Sequence, residues 1–497
     1  MVWWKIRFYP WLMIISLTCF AGISKSLPGQ DTIPGSQVII GDLTFEGNKI
    51  TRERIIRREL LFGENDTISY EKLPFVLDQS RKNLMNTSLF NFVTITQHPD
   101  SLSGKTDIHI DFLERWYVWP VPIIEFADRN FNEWLKKKDW SRLNYGGFLT
   151  WNNFRGRREK LNLYARFGYD EKYQLGYQIP YLNRKQTIGI GIAGGFSQNH
   201  EIAYNSFETV ERQNVVDGDT TTYYEQIGNK EVYYKNDTRH VRREIYAYAE
   251  MYYQREIHNK QWFKIQFSEL KVNDTVLVLN PDYMFGNSNA NRYFTFYYQF
   301  RSDYRDYRQY PLNGYYFDAS LDKKGLGVFD DPVVNSLSIK ANYRTYQHLK
   351  GGLYWASGIT GKTSPFWDQP YYFIEGLGYG RDFVRGYEYY VIDGRHFGVV
   401  KNNLKFELVG QRVQEFKFIP TDKFNKLYYA FYLNAYVDLG YTVDPRNQVY
   451  NPLADQLLVG YGIGLDFVTY YDFVLRVEYS FNKMGESGFF IHFMPSI

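Results

Sequence analysis

The residues best suited to enzyme chemistry are scattered along this 497-residue chain. The eight histidines form no HExxH pattern, and neither a nucleophile-elbow motif nor a ligand pair with metal-site spacing is present. The one cysteine, Cys19, lies in an N-terminal leader, so the mature chain has no disulfide and no thiolate metal site. We therefore expect no enzyme activity, no catalytic residue, no metal and no cofactor.

One segment imitates a nucleotide-binding motif. The sequence ASGITGKT, Ala356 to Thr363, loosely matches a phosphate-binding loop, although alanine replaces its first glycine. That chemistry requires a helix N-terminus directly after the loop. The sequence SPFWDQP follows instead, and its two prolines prevent a helix. The net charge of +3 also gives no electrostatic argument for a nucleic-acid partner.

The remaining chemistry is the pairing of an arginine with carboxylates. RDFVRGYEYYVIDG, residues 381–394, places Arg385 and the flexible Gly386 within a run of aromatic residues. Two later segments carry acidic residues on the polar face of an alternating pattern, with Glu407 in NNLKFELVG and Asp438 in FYLNAYVDLGYTVD. A buried arginine is costly unless a carboxylate accepts charge-assisted hydrogen bonds from it. A solvated loop tip is the simpler alternative for Arg385.

The elements that would position these residues are predicted to be β-strands. Aromatic residues make up 19% of the chain, yet the mean hydropathy is −0.46, as expected for strands that are apolar on one face only. About eleven alternating segments precede Arg381 and about five follow it, near the even total of sixteen typical of bacterial barrels. A soluble all-β binding protein is the alternative. In one such segment charged residues alternate with apolar ones, which fits a wet lumen: Val474, Arg476, Glu478 and Ser480 oppose Phe473, Leu475, Val477 and Tyr479.

Two further segments precede the strands. Residues 1–26 combine a positive n-region with a short apolar stretch and predict a signal peptide, and hence export. Residues 37–115 have the order β-α-α-β-β, with helical spacing in TRERIIRRELLF and alternation in TDIHIDFLE. The chain therefore reads as mainly β, with one small α/β domain before residues 116–497.

The α/β segment resembles a POTRA domain, the periplasmic module attached to outer-membrane assembly barrels. The resemblance rests on FEGNKIT, IIRREL and LMNTSLFNFVTI, which span residues 45–51, 55–60 and 84–95. The rest of the mature chain is similar to the BamA/TamA family. That similarity rests on VRGY, NNFRGRRE followed by YQIPYLN, DYRQYPLNGYYF, and GYGIGLDFVTYYDFVLRVEYSF.

The resemblance implies a transmembrane barrel of about sixteen strands whose sixth extracellular loop folds back into the lumen. Here that loop is residues 363–399, and its tip is Val384, Arg385, Gly386 and Tyr387. The resemblance implies that Asp438 is a partner of Arg385 and that Glu407 is a second partner. Whether Arg385 contacts one or both carboxylates is left open. It also implies a weak seam between the first and last strands.

The candidate first strand of the barrel is YVWPVPIIEF, residues 117–126. Pro120 and Pro122 cannot donate ladder hydrogen bonds, so a seam that contains them should be weak. The alternative is that both prolines lie in the linker between the POTRA-like domain and the barrel.

The function implied is assembly or insertion of outer-membrane proteins, with unfolded barrel proteins as clients, outer-membrane lipid as a partner, and periplasmic or lipoprotein accessory factors. The barrel would lie in the outer membrane of a bacterium, with the POTRA domain in the periplasm. One POTRA-like domain and a final Ile497 favour a narrow-client paralogue. A dedicated secretion pore would need a plug helix, for which only Ser24–Ser36 is available, and a passive channel or receptor is the third reading.

Overall fold

A computed structural model describes residues 37–100, 104–126, 138, 140–183, 185–216, 219–236, 238–284, 286, 288–329, 334–366, 369–415, 426–444, 451–469 and 473–493. The predicted signal peptide and the segment Ser24–Ser36 lie outside these ranges. No helix within them is both long and apolar enough to cross a membrane.

The N-terminal part is a small α/β domain. Its elements are β1 (Gln37–Glu46), α1 (Glu53–Glu59), β2 (Thr67–Ser69), α2 (Leu73–Asn86), β3 (Phe90–Asp100) and β4 (Lys105–Glu114). The sheet order is β2-β1-β4-β3, with β1 parallel to β4 and the other pairs antiparallel. The two helices pack on one face of this sheet over a closed apolar core that includes Ile40, Ile56, Leu84, Phe90 and Ile108.

The larger part is an antiparallel sheet of 16 strands. It begins with β5 (Val118–Phe126), β6 (Leu143–Phe154), β7 (Glu159–Gly168), β8 (Asp170–Ile179) and β9 (Ile188–Asn199). It continues with β12 (Arg242–Tyr253), β13 (Asn259–Val272), β14 (Ala290–Asp303), β15 (Gly314–Lys324), β16 (Ser336–Lys350) and β17 (Leu353–Thr363). It ends with β18 (His396–Glu415), β19 (Lys426–Val443), β20 (Leu458–Thr469), β21 (Phe473–Asn482) and β22 (Ser487–His492). The predicted fold class and strand number are confirmed.

The two faces of these strands differ in the way a membrane barrel requires. On β18, Leu404 and Phe406 are 43% and 47% exposed, whereas Asn403 and Lys405 between and before them are each 2% exposed. Apolar side chains therefore face outward and polar side chains face the lumen, where other groups cover them. This alternation is why the sequence could be read as a barrel without any long apolar run.

The connections at the two ends of the barrel differ in length. At the end beside the POTRA-like domain, β6 joins β7, β8 joins β9 and β16 joins β17 through short turns. At the far end lie the helix α3 (Asp274–Leu279), a long loop after β17, and a hairpin of β10 (Glu201–Val216) and β11 (Asp219–Lys235). The polar sequence of residues 201–234 is typical of a long surface loop, so the hairpin is additional structure. Short turns at one end and long connections at the other are usual in outer-membrane barrels.

The α/β domain is fastened to the barrel by a buried polar network. Thr51 Oγ1 donates to Glu114 Oε1 at 2.6 Å and lies 2.9 Å from the Tyr117 hydroxyl. The side-chain amide of Asn153, in the turn after β6, donates to Thr51 Oγ1 at 2.8 Å. Thr51 therefore serves the domain junction, and the N-cap position of α1 is Arg52, whose side chain makes no capping hydrogen bond.

Candidate functional site

The loop between β17 and β18 spans residues 364–395 and turns inward. Leu377 and Ile392 exchange backbone hydrogen bonds of 3.0 and 2.8 Å, which close the base of the inner loop. Beyond that base, Val384, Arg385 and Tyr387 are 1%, 0% and 2% exposed. The tip therefore lies inside the molecule, and the alternative of a solvated loop tip is wrong.

A tight turn forms the tip. The Tyr387 amide donates to the Val384 carbonyl at 3.1 Å, and Gly386 between them has a φ of +90°. A side chain at Gly386 would be strained by this φ and would also lie 2.8 Å from the Phe481 carbonyl oxygen. The Asn482 amide donates to the Gly386 carbonyl at 2.9 Å, so β21 holds the turn in place.

Arg385 forms a bidentate salt bridge with Asp438. Its Nε and Nη2 donate to the two carboxylate oxygens at 2.7 and 2.5 Å, and its backbone amide lies 3.2 Å from Oδ2. Nη2 also donates to Asn403 Oδ1 at 2.6 Å, and Nη1 donates to Glu478 Oε1 at 3.2 Å. The guanidinium carbon lies 3.6 Å from the centre of the Tyr436 ring. Charge, hydrogen bonds and an aromatic face thus compensate together for burying the cation.

Glu407 does not lie beside Arg385, where the resemblance had placed it. Its carboxylate faces the lumen but accepts a hydrogen bond from the Tyr432 hydroxyl at 3.4 Å. Glu407 is four residues further along β18 than Asn403, a rise of ~13 Å. Among the described residues the second carboxylate on Arg385 is Glu478, so the prediction of Glu407 was wrong.

Glu478 was missed although its lumen-facing position on β21 was predicted. Strand alternation gives the face of a residue, whereas the height at which neighbouring strands align depends on their turns and loops. In the structure Glu478 is 1% exposed and also contacts the Arg476 guanidinium at 3.1 Å. The signal available in the sequence was a lumen-facing carboxylate beside a lumen-facing arginine near the C-terminus.

Glycines on the neighbouring strands provide the space for the tip. A side-chain carbon at Gly460 would lie 1.7 Å from the Arg385 carbonyl oxygen, and one at Gly440 would lie 2.4 Å from Val384 Cγ2. Any larger residue at either position would collide with the loop. The loop and β18 to β21 therefore fit one another closely.

The tip also reaches the last strand. His492 Nε2 on β22 lies 3.7 Å from Glu388 Oε1 and 3.6 Å from Glu478 Oε2. The Phe383 ring stacks on the His492 ring, with centroids 5.7 Å apart. Among the described residues, two groups of side chains lie close enough to share a metal ion: Glu388, Glu478 and His492 here, and Glu46, His109 and Asp111 on the α/β domain.

The loop has a second attachment near its return to β18. Ser206 Oγ on β10 and the Tyr379 hydroxyl donate to the Asp393 carboxylate at 2.6 and 2.5 Å. Burial raises the pKa of Asp393 to about 6, while these two hydrogen bonds oppose the rise. The Asp444 carboxylate adds to the rise by repulsion. The hairpin and the loop thus meet at a carboxyl group that titrates in a mildly acidic range.

Pro120 and Pro122 lie within β5, at one end of the 16-strand order, and not in a linker. The Asn152 amide donates to the Tyr117 carbonyl at 2.7 Å. This hydrogen bond shows that the backbone groups of Tyr117, and of every second residue after it on β5, point toward β6. By antiparallel alternation, the backbone groups of both prolines point away from β6, toward the outer edge of the sheet. The edge therefore lacks two successive N–H donors at its centre.

The last strand does not complete the sheet through backbone pairing. β22 pairs with β21 and β5 pairs with β6, and within the described ranges no ladder joins β22 to β5. The seam therefore lies between β5 and β22, the two strands at the ends of the strand order. The edge provided by β5 is the one that carries both prolines.

Comparison with known proteins identifies the architecture. Residues 38–115 match the family model for POTRA, described as a surface antigen variable number repeat. CdiB from Escherichia coli is 12% identical over 91% of this chain and 75% of that chain, with a TM-score of 0.52. The chain has the POTRA-barrel fold of that protein. Its POTRA domain lies directly before the barrel, as the resemblance implied.

Two further structures are similar to this POTRA-barrel chain at lower scores. The crystal structure of BamA from Haemophilus ducreyi lacking POTRA domains 1–3 is 14% identical over 92% of this chain and 83% of that chain, with a TM-score of 0.48. CdiB from Acinetobacter baumannii is 16% identical over 91% of this chain and 74% of that chain, with a TM-score of 0.45. A comparison with curated proteins gave no match.

Proposed function

We propose that this POTRA-barrel protein assembles or inserts client proteins in the bacterial outer membrane, using the seam between β5 and β22. The observation that carries the proposal is the edge of β5, where two prolines remove donors from the line at which the sheet should close. A seam without backbone pairing opens at lower cost than any other line in the wall. The narrow-client paralogue remains our reading of its place among assembly proteins.

The chemistry of the seam suits a strand as substrate. A client strand can add to the opened edge by main-chain hydrogen bonds, with its own N–H groups donating to the carbonyls of Pro120 and Pro122. The same strand receives fewer donors in return, so its binding is weaker than a complete ladder would be. A weak template of this kind holds a client strand and then releases it.

The loop stabilises one side of this seam. Contacts from the tip reach Asn403 on β18, Asp438 on β19, Glu478 on β21 and His492 on β22. We propose that Arg385 keeps these last strands together as a block while β5 moves away from β22. Loss of the arginine would leave the seam without a firm edge on its C-terminal side.

In the proposed orientation the POTRA end, with its short turns, lies in the periplasm, and the end with the long connections faces outward. The difference in connection length supports this orientation. Within the POTRA sheet β3 is the longer of the two edge strands and the natural acceptor for an extended segment. The expected partners are unfolded outer-membrane proteins, periplasmic or lipoprotein accessory factors, and outer-membrane lipid.

The decisive experiment measures insertion of an unfolded barrel client into liposomes that contain the purified protein. Arg385→Ala should still fold as a barrel and insert the client several-fold more slowly. Arg381→Ala is the matched control, because it removes the same residue type from an exposed position in the same loop. Full activity of Arg385→Ala, with normal folding, would contradict the role of the loop.

Depletion of the protein followed by a census of the outer-membrane proteome separates the remaining readings. Loss of several barrels supports assembly. Loss of one exported protein supports a dedicated secretion pore, and an unchanged proteome supports a passive channel or receptor. Either of the last two results would overturn the proposed function.

A further inference from the structure

A cavity of about 600 Å³ lies between the POTRA domain and the lumen of the barrel. This size is within the range of sites that enclose a ligand. Its walls come from the end of α2, the linker to β5, the lumen faces of β7, β13 and β14, and the turn after β14. The polar network at Thr51 and Asn153 fixes the two parts against one another, so the chamber has a defined shape.

The chamber is strongly basic. Two carboxylates, Glu59 and Asp303, line it. Seven cationic side chains line it as well: Arg115, Arg158, Lys160, Lys260, Arg301, Arg305 and Arg308. Positive charge therefore exceeds negative charge by five in a space partly shielded from water, where Coulomb energies are larger than at an open surface.

The two carboxylates are already engaged. Arg305 contacts both oxygens of Asp303 at 2.7 and 2.8 Å, and Arg308 lies 3.3 Å from the same group. Arg158 contacts Glu59 at 3.3 Å. These contacts engage both acids that line the chamber and leave neither of them for Lys160, Lys260 and Arg301.

Four cations remain: Arg115, whose Nε donates to the Phe90 carbonyl at 3.0 Å, and Lys160, Lys260 and Arg301. Within the described ranges none of the last three has a carboxylate within salt-bridge distance, and the buried Nε of Arg301 has no hydrogen-bond acceptor. Lys260 lies over the Tyr252 ring at 3.8 Å, a cation–π contact. Three half-buried cations directed into one cavity favour an anionic ligand.

The rest of the lining indicates the class of that anion. Aromatic and amide side chains, such as Trp119, Tyr181, Asn86 and Gln178, suit the backbone and side chains of a polypeptide. Leu89, Pro180 and Ile257 are its aliphatic members, which is too little apolar wall for a lipid chain.

We infer that this chamber binds carboxylate-rich segments of unfolded polypeptide on the POTRA side of the barrel. The inference deepens the proposed function, on which it rests for the source of the polypeptide. Binding itself is independent of insertion. The chamber would hold acidic client segments near the lumen while the seam engages apolar strands.

The test uses the full-length protein in detergent and two fluorescent peptides of equal length, one alternating Glu with Gly and Ser, the other alternating Lys with Gly and Ser. Fluorescence anisotropy should show binding of the acidic peptide and weakening as salt is added. The triple variant Lys160→Gln, Lys260→Gln, Arg301→Gln should bind it about tenfold more weakly, because three cationic donors are lost.

Lys264→Gln is the matched control. Lys264 lies on the same face of β13 as Lys260, four residues further along the strand and outside the chamber lining, and is likewise half-buried. It should leave the peptide affinity unchanged. Should the triple variant fail to fold, as judged by its mobility before and after heating, Lys260→Gln alone provides the comparison and should still weaken binding several-fold.

Three results would overturn the inference: equal binding of the acidic and basic peptides, unchanged affinity in the triple and single variants, or displacement by inorganic phosphate at the same concentration as the peptide, which would mean a small-anion site. Failure of insertion in liposomes with normal peptide binding would contradict only the proposed function.

Discussion

Arg385 holds four groups at once because a guanidinium is flat and carries donors on two edges. One edge meets Asp438, while Nη1 and Nη2 reach Glu478 and Asn403. An ammonium group has the same charge but cannot present two parallel donors to one carboxylate. The shape of the side chain should therefore matter as much as its charge.

Arg385→Lys tests this point. We expect the insertion activity of the lysine variant to be close to that of Arg385→Ala. In the alanine variant the free energy of unfolding should fall by about 3–5 kcal/mol, because two buried carboxylates lose their cation. Urea titration of the folded barrel in detergent measures the stability, and the liposome assay measures the activity. Activity of the lysine variant equal to that of the wild type would mean that charge alone suffices.

Gly460→Ala tests the fit between the loop and the wall without touching a charged group. The added carbon would lie 1.7 Å from the Arg385 carbonyl oxygen, so the tip must move. We expect destabilisation of about 1–3 kcal/mol, typical of overpacking, together with slower insertion. Gly398→Ala is the control, because a side-chain carbon there meets nothing within 4 Å. Equal effects of the two substitutions would argue against a tightly seated tip.

Asp393 predicts a dependence of stability on pH. Because its folded pKa, about 6, is above the ordinary value of 3.8, the protonated form stabilises the fold. This contribution is complete below the unfolded pKa and is lost as the pH rises through about 6. The thermal midpoint should be higher at pH 5 than at pH 7.5. Asp393→Asn should flatten that difference, and Glu375→Gln, an exposed carboxyl in the same loop, should leave it intact.

At the residue scale the sequence predicted Asp438 and failed at Glu407 for the same physical reason. Alternation along a strand placed both carboxylates on the lumen face, and both are there. Their heights relative to the loop tip depend on how far the loop penetrates, which no local pattern records. Glu478 is 93 residues from Arg385 in sequence. Its contact with Arg385 likewise depends on how the strands of the barrel are aligned in the folded protein.

Among the elements, β5 stands out because its outer edge lacks the backbone N–H donors of Pro120 and Pro122. Replacing both prolines, Pro120→Val with Pro122→Val, restores two N–H groups that can pair across the seam. We expect a stability gain of about 0.5–1.5 kcal/mol per hydrogen bond and slower client insertion. Thermal unfolding and the liposome assay measure the two effects.

The matched control for the seam is Pro99→Val, which alters a proline on β3, an edge strand of the POTRA sheet. It should leave barrel stability unchanged. Faster insertion by the double seam variant would contradict the view that the missing donors keep the seam weak.

At the element scale the strands were predictable because each carries its own period of two. The hairpin of β10 and β11 was not. Its sequence does not alternate strictly between apolar and polar residues, so the period that marks a membrane strand is missing, and pairing across its 14 register positions carries the structure instead.

For the whole molecule, the inward loop should narrow the lumen at the far end of the barrel. Leu377, Val384, Tyr387 and Ile392 pack with residues of the wall into an apolar cluster inside the far end. We expect low steady conductance in planar bilayers. Excising residues 378–391 between the paired Leu377 and Ile392 should raise it several-fold, and Arg381→Ala should not. High conductance of the intact protein would favour the passive channel.

The order of domains in the whole chain could be predicted, but their contact could not. Helical and alternating periods separate residues 37–115 from the strands that follow. The contact between Thr51 and Asn153, and the basic chamber that it encloses, join residues about a hundred positions apart through turns with no distinctive composition. Long-range contacts of this kind are fixed by the assembled fold.

The sequence separation of the arginine from its partners has a consequence for the order of events during biogenesis. Asp438 and Glu478 follow Arg385 by 53 and 93 residues. Contacts that close such long loops form late in folding because their entropy cost must be met first. The loop should therefore dock in the lumen only after the final hairpin, β21 and β22, has folded into the barrel. A docked Arg385 would then indicate that every strand of the barrel is in place.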